Sequence, residues 1–136
     1  MLDLKETFIY DSIVHAYNTD SSNYRNERYG REISDMIYGA AAAAMPEGNK
    51  ITADSWHRNW TTEEVTRMLF LESDTDMATF QPLPLYAFHD GLTSEAKAAK
   101  AMNEWPQRYN TYADVDPVGE DAIEELDKQV EQLDPV

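Results

Sequence analysis

The residues whose types and spacing suit chemistry lie between Thr7 and Asn18, where an apolar run of strand type ends in a polar cluster. Because side chains alternate between the two faces of a strand, Asp11, Ile13 and His15 are predicted to share one face. A carboxylate and an imidazole at a strand end are suited to binding a metal or to acid–base catalysis. Asp11 and His15 are therefore candidate metal ligands, and His15 is also the candidate catalytic residue.

Both residues also have a purely structural interpretation. His15 can be a hydrogen-bonded histidine at the end of its strand, because buried polar groups generally find partners. Asp11 can be a carboxylate that is hydrogen-bonded to the backbone, or one that hydrogen-bonds to a metal-binding residue and so orients it. Ile13 lies between them and cannot bind a metal. The residues alone leave three interpretations open, namely an intact site, a degraded site and no site.

Three further polar residues are candidate substrate-binding groups. Asn18 follows the polar end of the first strand, Gln81 ends a second short apolar run, and His89 lies in an aromatic loop from 83 to 91. Gln81 has the alternative role of a turn residue before Pro82. The loops that carry His57 and His89 either form a lid over the strand ends or pack down onto the domain.

Composition limits the classes of function. The chain has 136 residues, no cysteine and a formal net charge of −15, which suits one domain and excludes disulfides, thiolate nucleophiles and Cys-ligated zinc. The negative charge disfavours nucleic acid and anionic membranes, and no apolar run approaches the roughly 20 residues of a membrane span. We expect a cytoplasmic protein with a small-molecule substrate, no nucleic-acid partner and no membrane contact. The charge itself predicts either a solubilising surface or a cationic partner.

Hydrophobic patterning predicts alternating strands and helices within one domain, 1–136. Strands are predicted at about 8–14, 77–81 and 109–115, and helices at about 24–44, 62–72, 95–105 and 120–133. Thr61 and Glu64 have the spacing of a capping box, and the last helix has an amphipathic stripe. Alternation of strand and helix predicts an α/β fold in which parallel strands are joined by helical crossovers.

Four segments, in this order along the chain, resemble the amidohydrolase-related family, in the branch of the aminocarboxymuconate-semialdehyde decarboxylases. They are Asp11–Asn18, Glu72–Ala78, Asp90–Ser94 and Tyr112–Pro117. The resemblance implies a (β/α)8 barrel of which this chain supplies the first three βα units. It also implies the N-terminal part of a metal-dependent hydrolase or decarboxylase that acts on a small organic acid, amide or lactone. By itself the chain is expected to be inactive.

The resemblance implies a divalent metal, with zinc first and iron or manganese as alternatives. The family uses an Asp-x-His-x-His strand, and the aligned residues here are Asp11, Ile13 and His15. Only His15 carries over as a ligand, so further ligands are expected from the remainder of the barrel or from a partner chain. Two alternatives follow, which are an altered metal chemistry due to Ile13 and a non-catalytic subunit or interaction module completed by a partner. The partner that completes such a module can be a second copy of this chain, which would make the protein a homo-oligomer.

Overall fold

A three-stranded parallel sheet, in the order β1-β2-β3, organises residues 6–135, which are those that the computed structural model describes. Strand β1 is Tyr10–Val14, β2 is Met77–Phe80 and β3 is Tyr109–Asn110. The predicted α/β class with parallel strands is therefore confirmed. Strand β3 ends at Asn110 rather than near residue 115, because beyond it the Thr111 hydroxyl bonds to the carbonyl of Phe80 (2.7 Å). Residues 1–5 and 136 of the predicted domain lie outside the described range.

Helices connect and flank these strands, and their bounds are α1 Glu27–Ala44, α2 Ala53–Trp56, α3 Thr62–Leu71, α4 Glu95–Glu104 and α5 Ala122–Leu133. The predicted capping box opens α3, since the Thr61 hydroxyl accepts from the amide of Glu64 and the Glu64 carboxylate accepts from the amide of Thr61. Helix α1 begins after its predicted start because the Asn26 side chain caps it. Within residues 6–135, none of the helices is long and apolar enough to cross a membrane.

The main apolar core lies between the sheet and helices α3 and α4. Its buried members are Val14, Ala16, Val65, Ala78, Phe80, Ala98, Ala101 and Tyr109. The small alanines of α4 allow that helix to approach the sheet closely, and the Tyr109 hydroxyl is satisfied by the hydroxyl of Thr66 (2.9 Å). This packing fixes the positions of the three strand ends relative to one another.

A register shift in β1 breaks the alternation expected from the sequence. Asp11 pairs with Ala78 and Val14 pairs with Phe80, so three steps along β1 match two steps along β2. Because paired residues of parallel strands lie on the same face, Asp11 and Val14 share a face, although alternation placed them on opposite faces. The prediction that Asp11 and His15 share one face is therefore wrong, since His15 follows Val14 directly. An extra residue in a strand cannot be read from side-chain periodicity.

Helix α5 docks through a polar residue more than through its apolar stripe. Gln129 is 2% exposed, and its side chain bonds both the amide (2.8 Å) and the carbonyl (3.1 Å) of Asp114. Leu133 is buried, whereas Ile123 is 76% and Val130 51% exposed. The predicted amphipathic stripe is present in the helix, but only part of it reaches the core.

Candidate functional site

His15 directly follows β1, at the carboxyl edge of the sheet. Its Nδ1 lies 3.0 Å from the carbonyl oxygen of Gln81, and the amide of Gln81 donates to the carbonyl of Val14 (2.9 Å). A carbonyl can only accept, so Nδ1 carries the ring proton and Nε2 keeps its lone pair. The imidazole is thus oriented by the end of β2, with its basic nitrogen directed away from the bond that holds it.

Burial keeps His15 uncharged. Desolvation lowers the pKa of the imidazole below its usual 6.5, while the bond to the Gln81 carbonyl and the charge of Asp114 raise it. The side chain of Gln81 donates to the Asp114 carboxylate (2.9 Å), which ties the segment after β3 to the ends of the other two strands. At neutral pH, the half-buried His15 is therefore a neutral base or a neutral ligand.

An aromatic cluster forms beside His15. The ring of Tyr17 stacks on His15, with centroids 5.2 Å apart and planes inclined by 21°. Trp56 lies 6.3 Å from Tyr17 and 6.0 Å from Trp60, so part of the predicted lid does lie against the end of β1. Tyr17 is not among the candidates predicted from sequence, although it lies two residues from His15 in the same polar end of the segment from Thr7 to Asn18.

The second loop of the predicted lid packs elsewhere. Phe88 is buried and meets the ring of Tyr24 at 5.7 Å, edge to face. The amide of His89 donates to the carbonyl of Asn23 (2.8 Å), while the His89 side chain is exposed. The loop of His57 therefore lies beside His15, and the loop of His89 lies against the segment before α1.

Lys97 of α4 anchors the end of β1. Its ammonium donates to the carbonyl of Ala16 (2.8 Å), the side-chain oxygen of Asn59 (2.7 Å) and the carbonyl of Trp60 (2.7 Å). Burial lowers the pKa of Lys97 to about 8. Three acceptors satisfy all three ammonium protons, so Lys97 acts as a positioning residue next to His15. The sequence shows only that Lys97 lies four residues before Ala101, on the same face of the helix.

The other predicted site residues make hydrogen bonds to other parts of the protein. The Asp11 carboxylate accepts from the amide of Ile13 (3.1 Å), which matches the structural alternative for that residue. The backbone amide of Asn18 donates to the carbonyl of Leu92 (2.6 Å). The side-chain oxygen of Asn18 accepts from the backbone amide of Asp20 (3.3 Å). Substrate binding by Asn18, Gln81 and His89 stays a prediction.

The described residues do not complete a site for the divalent metal that the resemblance implies. Within residues 6–135, no group of three or more His, Asp or Glu side chains is placed to hold a metal ion. Ile13, which the resemblance aligns with a metal-binding histidine, is 57% exposed. Three protein ligands are the usual minimum of a catalytic zinc site, and His15 supplies one.

Comparison with known proteins identifies no relative of this chain, so the site is interpreted from its own geometry. No family model, curated protein or solved structure matches this chain. The family resemblance of the sequence therefore stays a prediction. What the site offers by itself is a neutral, oriented imidazole at the carboxyl edge of a parallel sheet, flanked by aromatic rings.

Proposed function

We propose that this chain forms the first three βα units of an amidohydrolase-like (β/α)8 barrel and contributes to a hydrolase or decarboxylase. The substrate class is a small organic acid, amide or lactone. The observation that carries the proposal is the geometry of His15, whose Nδ1 is held by the Gln81 carbonyl while Nε2 is left as a neutral base. In such barrels the chemistry takes place at the carboxyl ends of the strands, which is where His15 lies.

The exposed sheet edge supports completion by further strands. Strand β1 is an edge strand of the described sheet, and Phe8, Tyr10 and Ile13 at or before it are large, exposed apolar or aromatic side chains. An open edge of this kind is a template for pairing with another strand. The remainder of a barrel or a partner chain, including a second copy of this chain, would cover it. Any divalent metal, zinc before iron or manganese, would need ligands from that same source.

In hydrolysis, His15 acts as a general base. Nε2 accepts a proton from a water molecule as the water oxygen bonds to the substrate carbonyl carbon and the π electrons of the carbonyl move to its oxygen. The imidazolium that results donates from Nδ1 to the Gln81 carbonyl and is stabilised by the charge of Asp114. The bond to the alkoxide or amine leaving group then breaks as the carbonyl re-forms, and Nε2 returns the proton to that group. Tyr17, stacked on the ring, limits its rotation and shields one face from water. Each of these effects comes from residues on the ends of the three strands.

A non-catalytic subunit is the second candidate function. It is supported by the exposed apolar side chains of α5, Ile123 and Val130, which suit contact with another chain. In this case His15 would be an oriented structural histidine. Turnover distinguishes the two candidates.

The test compares His15→Gln with Ser12→Ala, an exposed change on the same strand. The natively assembled protein is assayed for metal content and for turnover of a panel of chromogenic esters, amides and lactones. We expect His15→Gln to lower kcat by about 100-fold or more, the usual contribution of a general base, and Ser12→Ala to leave it unchanged. Equal metal content and equal turnover in wild type and His15→Gln would remove His15 from the mechanism.

A further inference from the structure

Helix α5 has an apolar stripe on its exposed side. Ile123, Leu126 and Val130 follow one another at intervals of three and four residues, which places them along one side of the helix. Ile123 and Val130 are exposed and Leu126 is 37% exposed, whereas the docking of α5 relies on the buried Gln129 and Leu133. The stripe runs over about two helical turns, or roughly 10 Å. It is therefore available for contact with another molecule.

A row of three carboxylates borders the apolar stripe. Glu124, Asp127 and Glu131 each come one residue after a member of the stripe, so they have the same spacing and lie along its side. All three are exposed, and in the part of the chain that the structure describes none of them lies in an ion pair. The exposed face of α5 thus combines an uncovered apolar stripe with an unneutralised acidic border.

The charge around this face restricts what can cover it. Residues 120–134 contain seven carboxylates and one lysine. That lysine, Lys128, lies 3.8 Å from Glu95 and 3.4 Å from Glu125, so it does not neutralise the border. A second copy of this chain would bring two acidic borders together, and a nucleic acid or an anionic membrane would meet the same repulsion. Charge complementarity therefore favours a basic partner.

We propose that this face of α5 docks a basic amphipathic helix of another protein. The apolar side of the partner helix would cover Ile123, Leu126 and Val130, and its lysines or arginines would pair with the bordering carboxylates. The spacing of the stripe is that of the seam along which two helices pack. A seam of two turns is short, so we expect an affinity in the micromolar range. The inference does not rest on the catalysis proposed for His15.

The test measures the binding of a fluorescein-labelled synthetic peptide by fluorescence anisotropy at low salt. The peptide has leucine at the two apolar positions of each heptad and lysine at the others, over about three heptads. In one control peptide glutamate replaces lysine, which removes the charge match, and in another serine replaces leucine, which removes the apolar contact. We expect wild type to bind the leucine–lysine peptide and neither control. Equal binding of the serine–lysine peptide would overturn the proposal, because it would indicate attraction to charge alone.

Paired substitutions locate the binding surface on the protein. Ile123→Gln/Val130→Gln removes two members of the stripe, and Met36→Gln/Leu71→Gln, at exposed positions of α1 and α3, is the matched control. Glutamine forms helices well, so both variants are expected to keep the circular dichroism of wild type. We expect the first pair to weaken binding of the leucine–lysine peptide about ten-fold and the control pair less than about two-fold. Equal weakening by the two pairs contradicts a site on α5.

The charged border is tested separately. Glu124→Gln/Glu131→Gln is expected to weaken the leucine–lysine peptide about five-fold at low salt and less at high salt. Asp54→Asn/Asp74→Asn removes the same charge from exposed positions on other parts of the chain and should have little effect. Equal weakening by these two pairs contradicts the proposed charge pairing.

Two further results would overturn the proposal. One is that wild type does not bind the leucine–lysine peptide at about 100 μM. The other is that wild type forms a dimer that Ile123→Gln/Val130→Gln converts to a monomer in analytical ultracentrifugation. That result would show that a second copy of this chain, rather than a basic helix, covers the stripe.

Discussion

Replacing Lys97 by methionine tests the anchor that holds the end of β1. Methionine keeps the length and apolar volume of the lysine stem but removes three donated hydrogen bonds, to Ala16, Asn59 and Trp60. A hydrogen bond from a charged donor contributes at least about 1.5 kcal/mol to stability. The loss of all three bonds therefore destabilises the fold by about 4.5 kcal/mol. Removing the half-buried charge of Lys97 stabilises the folded state by about 1.5 kcal/mol, after a discount for solvent screening. The expected net loss in the free energy of unfolding is about 3 kcal/mol.

Urea denaturation followed by circular dichroism at pH 7 measures this loss. Lys100→Met is the matched control, since Lys100 is on the same helix but pairs only at the surface, with Glu63 and Glu104. It is expected to change stability by less than about 1 kcal/mol. A Lys97→Met variant within about 0.5 kcal/mol of wild type would show that the three bonds do not hold the strand end, and the reasoning would be refuted.

The difference in stability between wild type and Lys97→Met is expected to depend on pH. The pKa of Lys97 is about 8 in the folded protein and 10.5 as its ordinary value, so between these values the unfolded chain holds more protons than the folded chain. The stability of wild type should then rise with pH relative to Lys97→Met. The loss on substitution is therefore expected to be larger at pH 10 than at pH 7. A smaller loss at pH 10 would mean that the hydrogen bonds, rather than burial, dominate the pKa of Lys97.

Two further stability predictions each have a matched control. Thr61→Ala removes the hydroxyl that accepts from the Glu64 amide, while the backbone amide of residue 61 still donates to the Glu64 carboxylate, and it should destabilise by about 1 kcal/mol. Ser94→Ala, at a helix start without a side-chain cap bond, should change the urea midpoint little. Gly91 has φ +71°, and a Cβ there would lie 2.8 Å from a backbone carbonyl oxygen, so Gly91→Ala should destabilise by about 2 kcal/mol. Gly39→Ala, in the open interior of α1, should stabilise by about 0.5–1 kcal/mol, and thermal melts that reversed this order would contradict the argument.

Local sequence patterns predicted the elements of this protein well. Each predicted strand and helix forms near its predicted place, although β3 spans only two residues, and the capping box at Thr61 and Glu64 appears with both of its bonds. These features depend on neighbours three or four residues apart, or on alternation along one strand. The parallel arrangement also followed from sequence, because strands separated by helices pair in parallel.

The composition of the candidate site depended on tertiary structure. Asp11 was placed on the same face as His15 by strand alternation, and a register shift against β2 removed that relation. Conversely, the carbonyl that orients His15 belongs to Gln81, and the ammonium that anchors the next residue belongs to Lys97. Contacts across so many residues have no periodic signal in a single sequence.

The sequence by itself therefore determined which segments are strands and helices, where α3 begins, and that His15 stands at the end of the first strand. Only the tertiary structure decided the tautomer of His15, its lowered pKa and the three bonds by which Lys97 anchors the end of β1. The physical reason is the distance along the chain over which each interaction acts. Propensity and capping act within a few residues along the chain, whereas burial, hydrogen bonding between strand ends and clustering of charge arise only when distant segments pack together.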